Sequence, residues 1–200
     1  MSGKRELKRE DLRSRLIESA RQRIAADGIA ALRARDVTQD AGCALGGLYT
    51  VFADLSELVL HVNSATLAAL EETLALAELE GLPPADRMRH LARGYLHFAL
   101  ENRNLWKALF EHRLPDGADV PQWHLDEHMF LIGFIAAPLA ELLPEMSEEN
   151  RILRAKTLFG AVHGIISLSL DGRYVGLPSE RLDDLVRTIA AGARSARSES

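Results

Sequence analysis

The stretch Val37–Phe52, VTQDAGCALGGLYTVF, reads as two short helices joined by a tight turn at Gly42. Glycine tolerates the positive φ that ends one helix and redirects the next, and Cys43 and Ala44 lead into the second. In that arrangement Val37, Ala41, Leu48 and Phe52 face inward together. Leu45, Gly46, Tyr49 and Thr50 lie on the opposite face, small or polar enough to meet a flat, hydrated partner. This division is that of a helix-turn-helix that binds DNA, although a helical hairpin inside any core can carry the same glycine turn.

The flanking residues narrow the choice. The run from Arg13 to Leu58 resembles the DNA-binding domain of the tetracycline-repressor (TetR) family of bacterial transcription regulators. The resemblance is carried by Ala20, Gly28, Asp36-Val37, Ala41-Gly42, Gly46, Leu48-Tyr49, Phe52 and Leu58. The spacing along the whole chain reads as all-α with about nine helices, and the resemblance implies an arm and three-helix head over residues 1–56 and a helical ligand-binding and dimerisation domain over 57–200. It also implies a phosphate contact for Tyr49. Family members usually carry Ser or Thr where this chain has Leu32 and Ala44, and commonly a basic residue where it has Leu45 and Leu55. Several ordinary caps and phosphate contacts are therefore missing, and binding leans on Arg33, Arg35, Tyr49 and the N-terminal arm.

Composition sets the outer limits. With 47% hydrophobic and 26% charged residues in 200, the chain is globular and long enough for a real core. A single cysteine, Cys43, makes no internal disulfide, which suits a reducing cytoplasm; the start MSGKRELKRE lacks the apolar segment of a secretory signal. The longest apolar run, Phe130–Ala140, falls short of the roughly 20 residues a membrane span needs. The net charge of -5 divides unevenly. Residues 1–50 hold ten basic and seven acidic side chains, for +3, and the remainder fourteen and twenty-two, for -8. The basic excess thus sits with the helix-turn-helix, and an acidic body would turn that end toward phosphate.

In chain order, residues 1–9 supply Lys4, Arg5, Lys8 and Arg9 without apolar periodicity and read as a mobile arm, either reaching phosphates or simply solvated. From about Glu10 the spacing Leu12, Leu16, Ala20, Ile24 is one helical face, stopped at Asp27-Gly28. A second helix over about Arg33–Ala41 opens with Arg33 and Arg35, placed to meet a duplex backbone. The third, about Leu45–Val51, is the reader: beside Ala44, the Gly46-Gly47 pair lets backbone approach closely, while Leu45 and Thr50 offer groups to the major groove. Asp54 or Ser56 caps a long fourth helix to about Glu80, stopped by Gly81-Leu82-Pro83-Pro84. Further helices follow from Asp86, over Leu105–His112, over Pro121–Leu143 with a kink at Pro138, over Ser147–Leu170 and over Ser179–Ala196.

The last two helices carry a candidate homodimer face: Gly160 and Gly164 allow close approach, and Leu168, Leu182, Leu185 and Ile189 supply apolar area. The same residues would also serve packing within one chain. Tyr95, Phe98, Trp106, Phe110, Trp123 and Phe159, with His128 and His163 as polar fixing points, are candidates to line a cavity for a small apolar ligand, or else ordinary core. Trp106 and His163-Gly164 also resemble a C-terminal domain type of some TetR proteins, named WHG for those residues. A competing class rests on His124-Leu-Asp-Glu127-His128, the H-x-x-E-H pattern of inverted zinc peptidases, which would make the chain a metal-binding protein or zinc hydrolase. That chemistry needs a third ligand that the sequence does not identify. No other catalytic constellation emerges, so the sequence predicts neither an enzyme nor a cofactor but a cytoplasmic repressor on a palindromic DNA operator.

Overall fold

The computed structural model describes residues 2–75, 81–115 and 118–171, together with residues 181, 184 and 188. Eight α-helices lie within them: α1 (Ser2–Asp27), α2 (Ala34–Asp40), α3 (Leu45–Tyr49), α4 (Leu55–Ala75), α5 (Pro84–Glu101), α6 (Arg103–Glu111), α7 (Gln122–Leu142) and α8 (Glu148–Leu170). A 3₁₀ turn at Ile29–Ala31 joins α1 to α2. No strand occurs among the described residues, so the fold is all-α. Of the expected ninth helix over Ser179–Ala196 only Arg181, Asp184 and Thr188 are described, each helical, with the Thr188 hydroxyl donating to the Asp184 carbonyl at 2.8 Å; the end of the fourth helix near Glu80 lies outside the described residues. Pro138 sits inside α7, which continues through it to Leu142.

The chain forms two compact units that do not follow its order. One, the head, comprises Met1–Ala68 and Asn102–His124; the other, the body, comprises Ala69–Glu101 and Leu125–Ser200.

In the head, the i, i+4 face Leu16, Ala20, Ile24 of α1 is fully buried against Val37 and Ala41 of α2, Leu48 of α3, and Phe52. Leu58, Val59 and Val62 of α4 close one side, and Leu105 and Ala108 of α6 join the same cluster. The opposite face of α1 carries Asp11–Arg15 and Glu18–Arg21 pairs at helical spacing, each adding a few tenths of a kcal/mol at most. Helix α1 begins at Ser2, so Lys8 and Arg9 stand on its first turns rather than on a free arm. Glu, Leu, Lys and Arg are good helix formers, and Glu6 and Arg9 lie 4.0 Å apart one turn along, which suffices to extend a helix already anchored downstream.

The joints are hydrogen-bonded as the turn chemistry demands. Gly42 has φ +66°, and the Cys43 amide donates to the Thr38 carbonyl at 2.9 Å, closing the C-terminus of α2. Asp54 caps α4, its Oδ1 accepting from the Glu57 amide at 2.8 Å while the Glu57 carboxylate accepts from the Ala53 amide at 2.5 Å. Ser56 is instead bonded to His112 Nε2 at 3.0 Å. Asn104, at the start of α6, donates to the carbonyls of Ala25 and Ala26 and so caps the end of α1 from another helix.

The body is organised around Met88 of α5, Ile132, Ala136 and Leu139 of α7, and Ala155 of α8. Ser147 caps α8, its hydroxyl accepting from the Asn150 amide, and Glu148 and Glu149 in the first turn complement the helix dipole.

Candidate nucleic-acid interface and ligand cavity

Helix α3 is held from behind and open in front. Leu48 is wholly buried and Phe52 nearly so, which fixes the rotation of the short helix on the head core. Its outward residues follow by geometry: Tyr49 is 55% exposed, Leu45 39%, and Ala44, Gly46 and Thr50 are exposed. The two adjacent glycines differ in kind. A Cβ on Gly46 would meet nothing within 4 Å, whereas one on Gly47 would lie 3.2 Å from Cys43 Sγ, 3.4 Å from Cys43 Cβ and 3.8 Å from Leu12 Cδ2. Gly47 is therefore the residue that lets α3 pack on its own turn and on α1, while Gly46 leaves the front of the helix flat.

The polar groups around α3 are partly committed to the head itself. The Thr50 hydroxyl donates to the Gly47 carbonyl at 2.7 Å, and Arg9 Nε donates to the Thr50 carbonyl at 3.4 Å. Arg33 is exposed, and its guanidinium donates to the Ala30 and Leu32 carbonyls at 2.9 Å, trimming the end of the 3₁₀ turn. Arg35 and Lys8 are exposed and form no ion pair among the described residues. The guanidinium of Arg15 donates to the Ala41 carbonyl beside the turn. Arg23 bridges Asp40 at 2.6 Å and Asp36 at 3.6 Å, tying α2 to α1 and holding the Asp40 carboxyl below its ordinary range, chiefly through the hydrogen bond.

Behind the head core lies an aromatic and histidine cluster that sequence reasoning missed. The Arg13 guanidinium sits 5.0 Å from the Phe52 ring centre and reaches the His61 ring at 2.9 Å. His61 in turn stacks on Trp123 at 5.0 Å, with the planes within 8°. Burial, the largest cause, pushes His112 below the ordinary histidine value, with His124 adding a like-charge penalty against the raising effect of Ser56 and Asp54. No local signal in the sequence connects Ser56 to His112, 56 positions apart, because only folding brings them together.

The body holds a cavity of about 60 Å³ among Leu70 and Leu74 of α4, Met88, Leu91, Ala92 and Tyr95 of α5, Leu131, Phe134 and Ile135 of α7, and Leu158, Phe159 and Val162 of α8. Tyr95 and Phe159 are thus brought together, with ring centres 5.5 Å apart, and the Tyr95 hydroxyl is bonded to His163 Nδ1 at 2.8 Å. Burial keeps the His163 pKa below its ordinary value, which favours the neutral ring. The other expected lining residues are elsewhere. Phe98 is buried in the body without lining this cavity, and His128 is half-buried there. Trp106, Phe110 and Trp123 belong to the head unit, where Trp106 is 1% exposed beside Phe110. An aromatic residue in a helical pattern signals burial, not which of two cores will take it.

Of the candidate dimer face, Leu168 is 38% exposed and Gly160 is exposed, with open space where a Cβ would stand on either Gly160 or Gly164. Leu153, Gly160, Gly164 and Leu168 recur at helical spacing along α8. Leu182, Leu185 and Ile189 lie outside the described residues. His124 is buried in the head and faces His112 electrostatically. Among the described residues no three His, Cys, Asp or Glu side chains converge as a metal set, and none of the helices is long and apolar enough to cross a membrane.

Head and body together define an all-α helix-turn-helix protein with a separate helical unit enclosing a cavity. The family described as Tetracyclin repressor-like, C-terminal domain, matches residues 88–192, just over half of the chain. The chain belongs to the tetracycline-repressor family of transcriptional regulators. Its fold is shared by RolR in complex with resorcinol (TM-score 0.69, 21% identity, 97% of this chain and 96% of that one). It is also similar to a TetR transcriptional regulator from Rhodococcus sp. RHA1 (TM-score 0.65, 16% identity, 96% and 100%). A TetR-family regulator from Bordetella parapertussis 12822 has a TM-score of 0.63 at 17% identity, over 90% and 93%. No curated protein matches the chain in sequence.

Proposed function

We propose that the protein is a cytoplasmic, ligand-responsive repressor that binds a palindromic DNA operator as a homodimer and leaves it when a small apolar molecule occupies the body. The observation that carries this reading is the orientation of α3, whose buried Leu48 turns Leu45, Gly46 and Tyr49 outward. In this reading Ala44, Gly46 and Gly47 admit the duplex backbone, Leu45 and Thr50 face the major groove, and Tyr49 touches phosphate. Lys8, Arg9, Arg33 and Arg35 supply the neutralising charge. Gly160, Gly164 and Leu168 of α8, with Leu182, Leu185 and Ile189, pair two chains so that their third helices enter successive major grooves about 34–36 Å apart. RolR, alike in fold, holds resorcinol, which supports a small molecule as the signal here. By linkage, a ligand that weakens DNA binding is itself bound more weakly in the presence of DNA by the same factor. The reading assigns no catalytic step to the chain.

Genomic footprinting followed by fluorescence anisotropy on the recovered operator tests it. Tyr49→Ala and Arg35→Ala should each weaken binding at least several-fold with helicity unchanged. With about four cations per subunit, log affinity of the dimer should fall with log salt at a slope of roughly -7. Wild-type affinity in both variants, or a flat salt response, would remove the basis for the reading.

A further inference from the structure

Eleven of the twelve residues lining the body cavity have no side-chain nitrogen or oxygen, and none is charged; Tyr95 alone has a polar side-chain group. The cavity's roughly 60 Å³ is several times the about 10–15 Å³ a single water needs, yet its walls offer water almost nothing to bond. It is therefore suited to hydrocarbon, and a carboxylate or ammonium placed there would lose its hydration without a counter-charge. The one polar feature is built rather than incidental. The Tyr95 hydroxyl lies 2.8 Å from His163 Nδ1, His163 stacks on Phe159 at 5.6 Å, and Phe159 itself lines the cavity. A phenol hydroxyl has one donor and two acceptor positions, and a neutral imidazole can give or take the shared proton according to its tautomer. The pair can thus answer either a hydroxyl or a carbonyl oxygen on a bound molecule.

We infer that the cavity selects a neutral, mainly hydrocarbon ligand bearing a single hydrogen-bonding oxygen, with Tyr95 reading that oxygen and His163 acting as the positioning residue that orients the Tyr95 hydroxyl. This rests on the ligand-responsive reading above and adds the chemical class of the ligand. It separates such molecules both from acids of the same skeleton and from plain hydrocarbons.

Isothermal titration of the full chain, without DNA, with toluene, benzyl alcohol and benzoate at neutral pH tests the inference. Benzyl alcohol should bind about 5-fold more tightly than toluene, the gain of one net hydrogen bond. Benzoate should bind at least about 100-fold more weakly than benzyl alcohol, reflecting the desolvated charge. In Tyr95→Phe the preference for the alcohol should vanish while toluene binding remains; His163→Leu should reduce the preference with toluene binding unchanged, an effect that general loosening of the core would not produce. Ala92→Trp, which fills the cavity, should abolish binding of all three at wild-type helicity. Benzoate binding as tightly as the alcohol, an alcohol preference that survives Tyr95→Phe, binding that survives Ala92→Trp, or absence of binding by either neutral probe would each overturn it. DNA affinity is read separately: correct probe ranking with no operator release would refute the regulatory reading and leave the ligand class standing.

Discussion

Adding one methyl to each of the neighbouring glycines of α3 should have opposite effects on stability. Alanine is favoured over glycine in a helix by about 1 kcal/mol, and somewhat less in a first turn, so both substitutions start from a gain of roughly 0.5–1 kcal/mol. At Gly46 the new Cβ meets nothing within 4 Å, and the gain is kept. At Gly47 it arrives 3.2 Å from Cys43 Sγ, tighter than nearly all real Cβ contacts, and 3.4 Å from Cys43 Cβ, at the edge of ordinary van der Waals contact. The thiol must give by a few tenths of an ångström from a Cβ that is itself fixed to the turn backbone, and overpacking of this kind costs about 1–3 kcal/mol. Gly46→Ala should therefore stabilise the head by up to about 1 kcal/mol, and Gly47→Ala should be neutral to about 2 kcal/mol destabilising. Urea unfolding followed by circular dichroism reads both. A double-mutant cycle of Gly47→Ala with Cys43→Ala should recover about 1 kcal/mol, since it removes the closer of the two contacts. The DNA readout runs the other way: the Gly46 methyl projects from the exposed face and should weaken operator binding in the more stable variant. Equal stabilisation by the two substitutions, with no coupling to Cys43, would refute this account of how α3 is seated.

Three further outcomes follow from the same geometry. The His112 pKa is lowered by burial from an ordinary 6.5, so the unfolded chain takes up a proton that the folded one resists. Stability from this group is complete above pH 6.5 and declines as pH falls below it; His112→Gln, although less stable at pH ~8 for want of the Ser56 bond, should show a flatter pH slope in chemical denaturation. Asn104→Ala leaves the Ala25 and Ala26 carbonyls without their side-chain donor and should cost about 0.5–1.5 kcal/mol in head stability. Finally, a fragment of residues 1–75 lacks Leu105 and Ala108 of the head cluster and the buried Trp106 beside them, and should show no cooperative thermal transition; a sharp one would mean α6 is dispensable.

The elements were legible because they depend on local patterns. Leu12, Leu16, Ala20 and Ile24 mark one helical face whatever lies against it, Gly28 and Gly42 supply the positive φ their turns require, and Asp54 stands where a cap is needed. The inward set Val37, Ala41, Leu48 and Phe52 followed from the same periodicity and is buried. The start of α1 was not legible, since a charged segment without apolar spacing looks alike whether it extends a helix or trails in water.

What the sequence by itself determined, then, is the order of the helices and which face of each seeks an apolar neighbour, because backbone propensity and side-chain spacing act within a turn or two. Tertiary structure alone decided which neighbour each face received. It sent Trp106 and Phe110 to the head and left Tyr95, Phe159 and His163 in the body, distinguished Gly47 from Gly46, and turned Arg33 onto nearby carbonyls. Burial rewards apolar area without regard to partner, so the choice among cores is made only when the whole chain packs.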